Sequence, residues 1–195
     1  MPAFERVDFA YDMTRPVLQQ FSLELPDQGI VCLVGPSGCG KTTALRLLAG
    51  LEAPVAGLVS GLAGRRPSMV FQENRLLPWE TARQNAATTP DDGRGEEWLT
   101  ALGLGDSLER RPADLSGGMA RRVAIARALA APHDLLLLDE PFAGLDETAW
   151  RDAAQRIAAA TRGLTVLVTH VLDHATAMGA TVVRLEGPPL RVVPA

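Results

Sequence analysis

Lysine is almost missing from this chain. Of its 19 basic residues, 18 are arginine and one, Lys41, is lysine. Arginine is a planar fork, whereas lysine is a compact point charge on a flexible stem. On a solvated surface either serves, so the one position that keeps lysine marks a site where a guanidinium would not fit. Cysteine is nearly as scarce. Cys32 and Cys39 alone exclude a disulfide framework and a cysteine-built metal centre, and read as two free thiols in a reducing compartment. No apolar run approaches the roughly 18 residues of a membrane-spanning helix. The opening residues, MPAFERVDFAYD, carry acids and no apolar stretch, so no secretory signal is expected there. A net charge of −4 and the lack of any Lys/Arg-rich run exclude a general nucleic-acid binder.

What is present fits one domain. A length of 195 residues with 47% hydrophobic content can bury a sizeable core. Short apolar segments alternate with helical patterns. Strands are expected at 30–34, 68–72, 134–140, 164–170 and 181–187, and helices at 42–51, 117–131 and 148–160. Apolar strands separated by helices imply an α/β fold with a mainly parallel sheet covered on both faces. The N-terminal segments FERVDFA and VLQQFSLEL alternate more, as an antiparallel portion does. Residues 80–115 are mixed and include the turn-rich stretch TPDDGRGEE; they point to a small helical subdomain inserted into the sheet layer.

Three local patterns carry chemistry. Gly35-Pro-Ser-Gly-Cys-Gly-Lys-Thr42 fits G-x-x-x-x-G-K-[ST] between an expected strand and an expected helix. Backbone N–H groups of Gly35, Ser37, Gly38, Cys39 and Gly40 can wrap a phosphate, and the helix N-terminus adds partial positive charge. Lys41 would reach the β- and γ-phosphates, Thr42 would ligate Mg²⁺, and Thr43 follows at the same helix start. A compact ammonium at those phosphates accounts for the retained lysine. Asp139 and Glu140 close a run of four leucines, placing two carboxylates at the C-terminal edge of a buried strand, where ligands sit in such sheets. Asp139 can hold the Mg²⁺ shell and Glu140 can polarise water. Ser116-Gly117-Gly118 precedes an amphipathic helix, which Ser116 can cap while the glycines expose amides to a second anion.

In this order the residues resemble a known family. The chain is similar to the nucleotide-binding subunit of ATP-binding cassette (ABC) transporters from Tyr11 to about residue 186. GPSGCGKTT resembles the family's Walker A, VFQENRLLPW its Q-loop segment, LSGGMARRVAIARAL its signature, LLLLDEPFAGLD its Walker B and D-loop, and VTH its switch histidine. LLPW with LSGGM is most similar to the nitrate/sulfonate/taurine importer branch, which includes uptake of thiamine-precursor pyrimidines.

The resemblance implies a P-loop NTPase with one ABC ATPase domain over 1–195. Residues from about 73 to 130 would form the helical subdomain with the signature helix. It implies ATP and Mg²⁺, with Thr42, Gln72 and Asp139 at the metal and Lys41, Gln72, Glu140 and His170 at the chemistry. Tyr11 would stack on adenine. Ser116, Gly117 and Gly118 would complete the site of a second copy of the chain, with Asp146 across the same interface. Partners would be that second copy, an integral-membrane permease near Trp79 and, indirectly, a substrate-binding protein; nucleic acid is not among them. The place would be the cytoplasmic face of the cell membrane. His133 and His174 are expected at the surface or behind the site, and Trp98 and Trp150 in packing.

The chain also departs from the pattern. Met119 stands for the commoner Gln, Ala120-Arg121-Arg122 for Arg-Gln-Arg, Val171 for the Asp after the switch histidine, and His174 for a following Glu. A GTPase is excluded because its N-K-x-D segment needs a second lysine. DNA- or ribosome-directed cassettes need long insertions that 195 residues do not hold. A regulatory or degenerate cassette that binds ATP with little turnover stays open through Val171.

Overall fold

The computed structural model describes residues 1–12, 14–88 and 93–193. Thr89 to Asp92, within the expected turn-rich stretch, lie outside the described residues. Two sheets are formed. The smaller is antiparallel, in the order β2 (Pro16–Glu24), β1 (Ala3–Ala10), β4 (Ala56–Ser60). The larger runs β5 (Pro67–Val70), β6 (Leu135–Asp139), β7 (Leu164–Thr169), β3 (Gly29–Val34), β8 (Thr181–Glu186), β9 (Arg191–Val192). It is parallel throughout except for the β8–β9 pair.

Alternation along β6 explains why a run of leucines makes a strand here. Leu135 and Leu137 join α1 (Lys41–Leu48) and the antiparallel sheet on one face. Leu136 and Leu138 join α4 (Gly117–Ala130) and α5 (Glu147–Ala160) on the other. Every residue of β6 and β7 is buried, as a parallel sheet covered on both sides requires. Between β5 and β6 in the chain lie α2 (Ala82–Ala86), α3 (Arg94–Ala101), two short 3₁₀ turns and α4, and the three helices pack on one another. The last helix, α6 (Leu172–Ala177), follows β7 directly.

Most sequence-based boundaries fall within two residues of the observed ones. The helix expected to reach residue 51 stops at Leu48. Gly50 takes a left-handed φ of 69°, and the Leu51 amide turns back to the Arg46 carbonyl at 2.9 Å, which closes the helix end. Strands β4 and β9 and helix α6 carry no expectation from the sequence. β4 is mostly exposed, and the other two span only two and six residues.

Register places the chemistry. Val34 of β3 pairs with Thr169 of β7, Val168 pairs with Asp139 of β6, and Leu138 pairs with Val70 of β5. Four neighbouring parallel strands therefore end side by side. The chain then leaves them as the Gly35 loop, His170, Glu140 and Gln72.

Candidate functional site

The loop after β3 is shaped by close approach. A Cβ on Gly35 would sit 2.3 Å from the Leu185 carbonyl oxygen, so the backbone runs against β8 with no room for a side chain. Gly40 caps α1 at φ 116°, a conformation L side chains rarely adopt, and a Cβ there would meet Val17 at 3.1 Å. The loop encloses Lys41. Its Nζ donates to the carbonyls of Gly35 at 2.8 Å and Pro36 at 2.7 Å and lies 3.8 Å from Cys39 Sγ. Lys41 is only 6% exposed. Among the described residues no carboxylate forms an ion pair with it. A buried lysine with two carbonyls and a thiol as its partners lacks the anion that a buried charge ordinarily keeps. A phosphate fits that deficit.

Beside it, Thr42 Oγ1 donates to Asp139 Oδ1 at 3.1 Å, across 97 residues of sequence. Both line a cavity of about 390 Å³ with Gln72, Glu73, Arg46, Arg75 and Phe71. Burial pushes the Asp139 carboxyl above its ordinary value, and the Thr42 hydrogen bond opposes that. Hydroxyl, carboxylate and side-chain amide oxygens are the hard donors Mg²⁺ takes. Among the described residues no group of three His, Cys, Asp or Glu could hold a metal alone. A magnesium ion here would draw its remaining ligands from water and substrate phosphates, as it does in phosphoryl-transfer sites.

Glu140 follows with a left-handed φ of 46°. Such a conformation costs a non-glycine residue roughly 1–3 kcal/mol and persists only where its surroundings fix it. They do so here. The Glu140 amide donates to Val168 O at 2.9 Å and its carbonyl accepts from Arg121 Nη2 at 2.6 Å. Its carboxylate is held at both ends, by His170 Nδ1 at 2.8 Å and by Thr169 Oγ1 at 3.3 Å. The Thr169 hydroxyl also meets His174 Nδ1 at 3.0 Å and accepts from the Val171 amide at 3.1 Å.

Arg121 is the residue that sequence reasoning passed over. From α4 it donates to the carbonyls of Phe71 (2.5 Å), Asp139 (2.7 Å), Glu140 (2.6 Å) and Pro141 (2.9 Å), with longer contacts to Gln72 O and Asn74 Oδ1. Burial lowers its guanidinium to about 10, against the pull of Asp139 and Glu140. One side chain thus ties the signature helix to the Gln72 segment and to both acidic residues. The available signal was its helical position, four residues before the buried Ile125.

Other expected residues stand apart from this cavity. Tyr11 is 56% exposed and packs edge-on against Phe9, with its hydroxyl accepting from Arg46 at 3.1 Å and 3.4 Å from Thr43 Oγ1. Ser37 and Gly38 are exposed at the loop tip. Ser116 caps α4, its Oγ accepting from the Met119 amide at 3.2 Å, and Gly118 packs near the Gly144 carbonyl. Ser116, Gly117 and Gly118 do not line the Thr42–Asp139 cavity. Asp146 caps α5 through the Ala149 amide at 2.9 Å. Trp98 and Trp150 are half-buried against the core. His133 stays near the surface with Nδ1 on the Ala131 carbonyl, whereas His174 is buried behind Thr169. Cys32 and Cys39 are free and buried, and burial together with the Glu140 charge raises the Cys32 thiol to about 12. A larger cavity of about 610 Å³ opens around Arg66, Trp98, His133 and Arg156, at the N-terminal edge of the sheet, away from this chemistry.

Residues 18–143 match the family model described as ABC transporter. The aliphatic sulfonates import ATP-binding protein SsuB 2 of Burkholderia cenocepacia (strain HI2424) is 42% identical over 91% of this chain and 71% of its own length. The bicarbonate transport ATP-binding protein CmpC of Synechocystis sp. (strain ATCC 27184 / PCC 6803 / Kazusa) is 37% identical over 96% of this chain and 32% of its own length. Among solved structures, the dimeric post-hydrolysis state of the ATP-binding cassette MJ0796 bound to ADP and Pi superposes with a TM-score of 0.88. It is 26% identical and covers 100% of this chain and 97% of that one. With a phosphate loop built around a lone buried lysine, a Thr–Asp pair beside it and relatives of this kind, the chain belongs to the ABC transporter family.

Proposed function

We propose that this chain is the ATP-hydrolysing motor subunit of an importer for a small anionic solute. The observation that carries it is the row of strand ends. Lys41 waits for an anion, Thr42 and Asp139 flank it, and the Glu140–His170 pair stands next to them. The 2.8 Å contact between Glu140 and His170 favours turnover over a cassette that only binds nucleotide, because it fixes a base and an imidazole side by side.

The loop amides and Lys41 bind the β- and γ-phosphates of ATP, and Tyr11 offers its exposed ring to adenine. Bound Mg²⁺, held by Thr42, Gln72 and Asp139, would supply charge neutralisation at the phosphate oxygens. Glu140 accepts a proton from the attacking water. His170 uses Nδ1–H to orient Glu140, and a contact from Nε2 to the γ-phosphate would need a proton on that nitrogen as well, because phosphate oxygens only accept. Ser116, Gly117 and Gly118 lie outside their own chain's cavity. Their exposed helix N-terminus suits the γ-phosphate held by a second copy, so two nucleotides would be sandwiched between two chains. Residues from about 73 to 130 would act as the helical subdomain that moves with Gln72. Exposed Leu77 and Trp79 beside that segment would meet a membrane permease, itself fed by a substrate-binding protein. Among the described residues no helix is long and apolar enough to cross a membrane, so attachment to the cytoplasmic face would run through the permease. The solute class rests on the sulfonate and bicarbonate proteins named above.

Glu140→Gln tests the reading. The variant should bind ATP with ordinary affinity, form a stable dimer with ATP and lose more than about a hundredfold in hydrolysis. Wild-type hydrolysis rates from that variant would refute the assignment.

A further inference from the structure

The residue behind the site, His174, has no role in the proposed mechanism. It sits on α6 and is buried, with its ring edge-on to Phe142 at 4.9 Å and to Trp150 at 4.8 Å. Its Nδ1 is 3.0 Å from Thr169 Oγ1, and that oxygen is 3.3 Å from Glu140 Oε2. The four polar groups form one file: His174, Thr169, Glu140, His170.

Counting protons fixes the direction of this file. A threonine hydroxyl has one proton to give and two lone pairs to accept with. The Val171 amide occupies one lone pair. A carboxylate oxygen only accepts, so Thr169 donates in its bond to Glu140 Oε2. His174 Nδ1 must then be a donor into the remaining lone pair. If the ring instead carried its proton on Nε2, Nδ1 would be an acceptor. It would compete for the single hydroxyl proton, and Oε2 would lose its partner. We infer that His174 is a positioning residue whose Nδ1–H tautomer directs the Thr169 hydroxyl onto Glu140 and so holds the base in place. This inference rests on Glu140 being the base.

Burial supports a neutral ring. It lowers the His174 imidazole below its ordinary value, with the nearby Glu140 and Asp173 charges raising it and His170 lowering it. A neutral imidazole has one N–H, so the choice of tautomer matters. The aromatic walls of Phe142 and Trp150 clamp the ring plane.

The test combines spectroscopy of the nucleotide-free chain with kinetics. Nitrogen-15 NMR of histidine-labelled protein reads the tautomer of His174 directly; Nδ1–H is expected, and Nε2–H overturns the inference. His174→Phe keeps the packing and removes the donor. Its kcat should fall about three- to tenfold with KM unchanged, the effect of losing one hydrogen bond. His174→Asn places an amide N–H near the Nδ1 position and should restore most of that loss. If His174→Phe does not fold, Thr169→Val should show the same fall and Thr169→Ser should not. Equal rates in wild type and the donor-less variant, or no recovery with Asn, would overturn the proposal. Full hydrolysis by Glu140→Gln would instead sink the reading of Glu140 as base, while the tautomer measured without nucleotide would still decide the direction of the file.

Discussion

Arg121 should be worth more to this fold than any other single charged residue, and removing it can be costed from its contacts. Four of its bonds to carbonyl oxygens are 2.9 Å or shorter. Bonds from a charged donor contribute about 1.5 kcal/mol each at the low end, or ~6 kcal/mol for the set. Substitution by methionine keeps much of the stem's volume and relieves the cost of burying the cation, roughly 2–3 kcal/mol after relaxation. The net loss for Arg121→Met is then about 3–4 kcal/mol, a large share of the ~5–15 kcal/mol that holds a domain together. With a urea m-value near 2 kcal/mol/M, the unfolding midpoint should fall by about 1.5–2 M. Arg121→Lys should fall about half as far, because a single ammonium cannot serve carbonyls on both sides of the guanidinium fork. The same variants should lose ATP hydrolysis where they are still folded, since the strained Glu140 backbone would relax. A midpoint shift below about 0.5 M for Arg121→Met would refute the accounting, and water would have to be serving those carbonyls instead.

Two further outcomes follow from the same geometry. The folded state raises the Asp139 carboxyl above its unfolded value of 3.8, so its buried charge costs nothing at lower pH and its full amount once the pH exceeds the folded value. Asp139→Asn should therefore raise the nucleotide-free Tm at pH 7 and leave it unchanged near pH 3, and Mg²⁺ with ATP should stabilise wild type but not the variant. Thermal scans at the two pH values check both parts, and a lower Tm at pH 7 would refute the sign. Gly35→Ala should abolish nucleotide binding at modest heating or fail to fold, because a methyl group 2.3 Å from the Leu185 carbonyl forces β3 and β8 apart. An alanine variant with ordinary ATP affinity would refute the role of that contact.

The glycine-rich loop around Lys41, the Asp139–Glu140 pair at the end of β6 and the histidine after β7 were legible as candidates because each stands in a local run at a strand end. The parallel sheet was legible because a strand buried on both faces, as Leu135 to Leu138 are, leaves an unbroken apolar run. Long-range partnership is where sequence reading stopped. Arg121 is one of 18 arginines, and its worth comes from carbonyls 18 to 50 residues away. His174 read as a surface or supporting residue, because a single histidine on a six-residue helix gives no hint of Thr169 beneath it. β4 escaped notice because an exposed edge strand has too little apolar alternation to announce itself.

The lone buried lysine has a practical consequence. Apart from the α-amine, this chain offers acylating reagents one nitrogen, and that nitrogen lies inside the phosphate loop. Labelling by an amine-directed probe would be a one-site occupancy meter. Reaction at Lys41 should be slow in the free chain, where Nζ is enclosed by Gly35 and Pro36, and slower still with nucleotide bound. Cross-linkers that bridge amines will find almost nothing to join on this chain, and with both thiols buried a cross-link to any partner must start from exposed carboxylates.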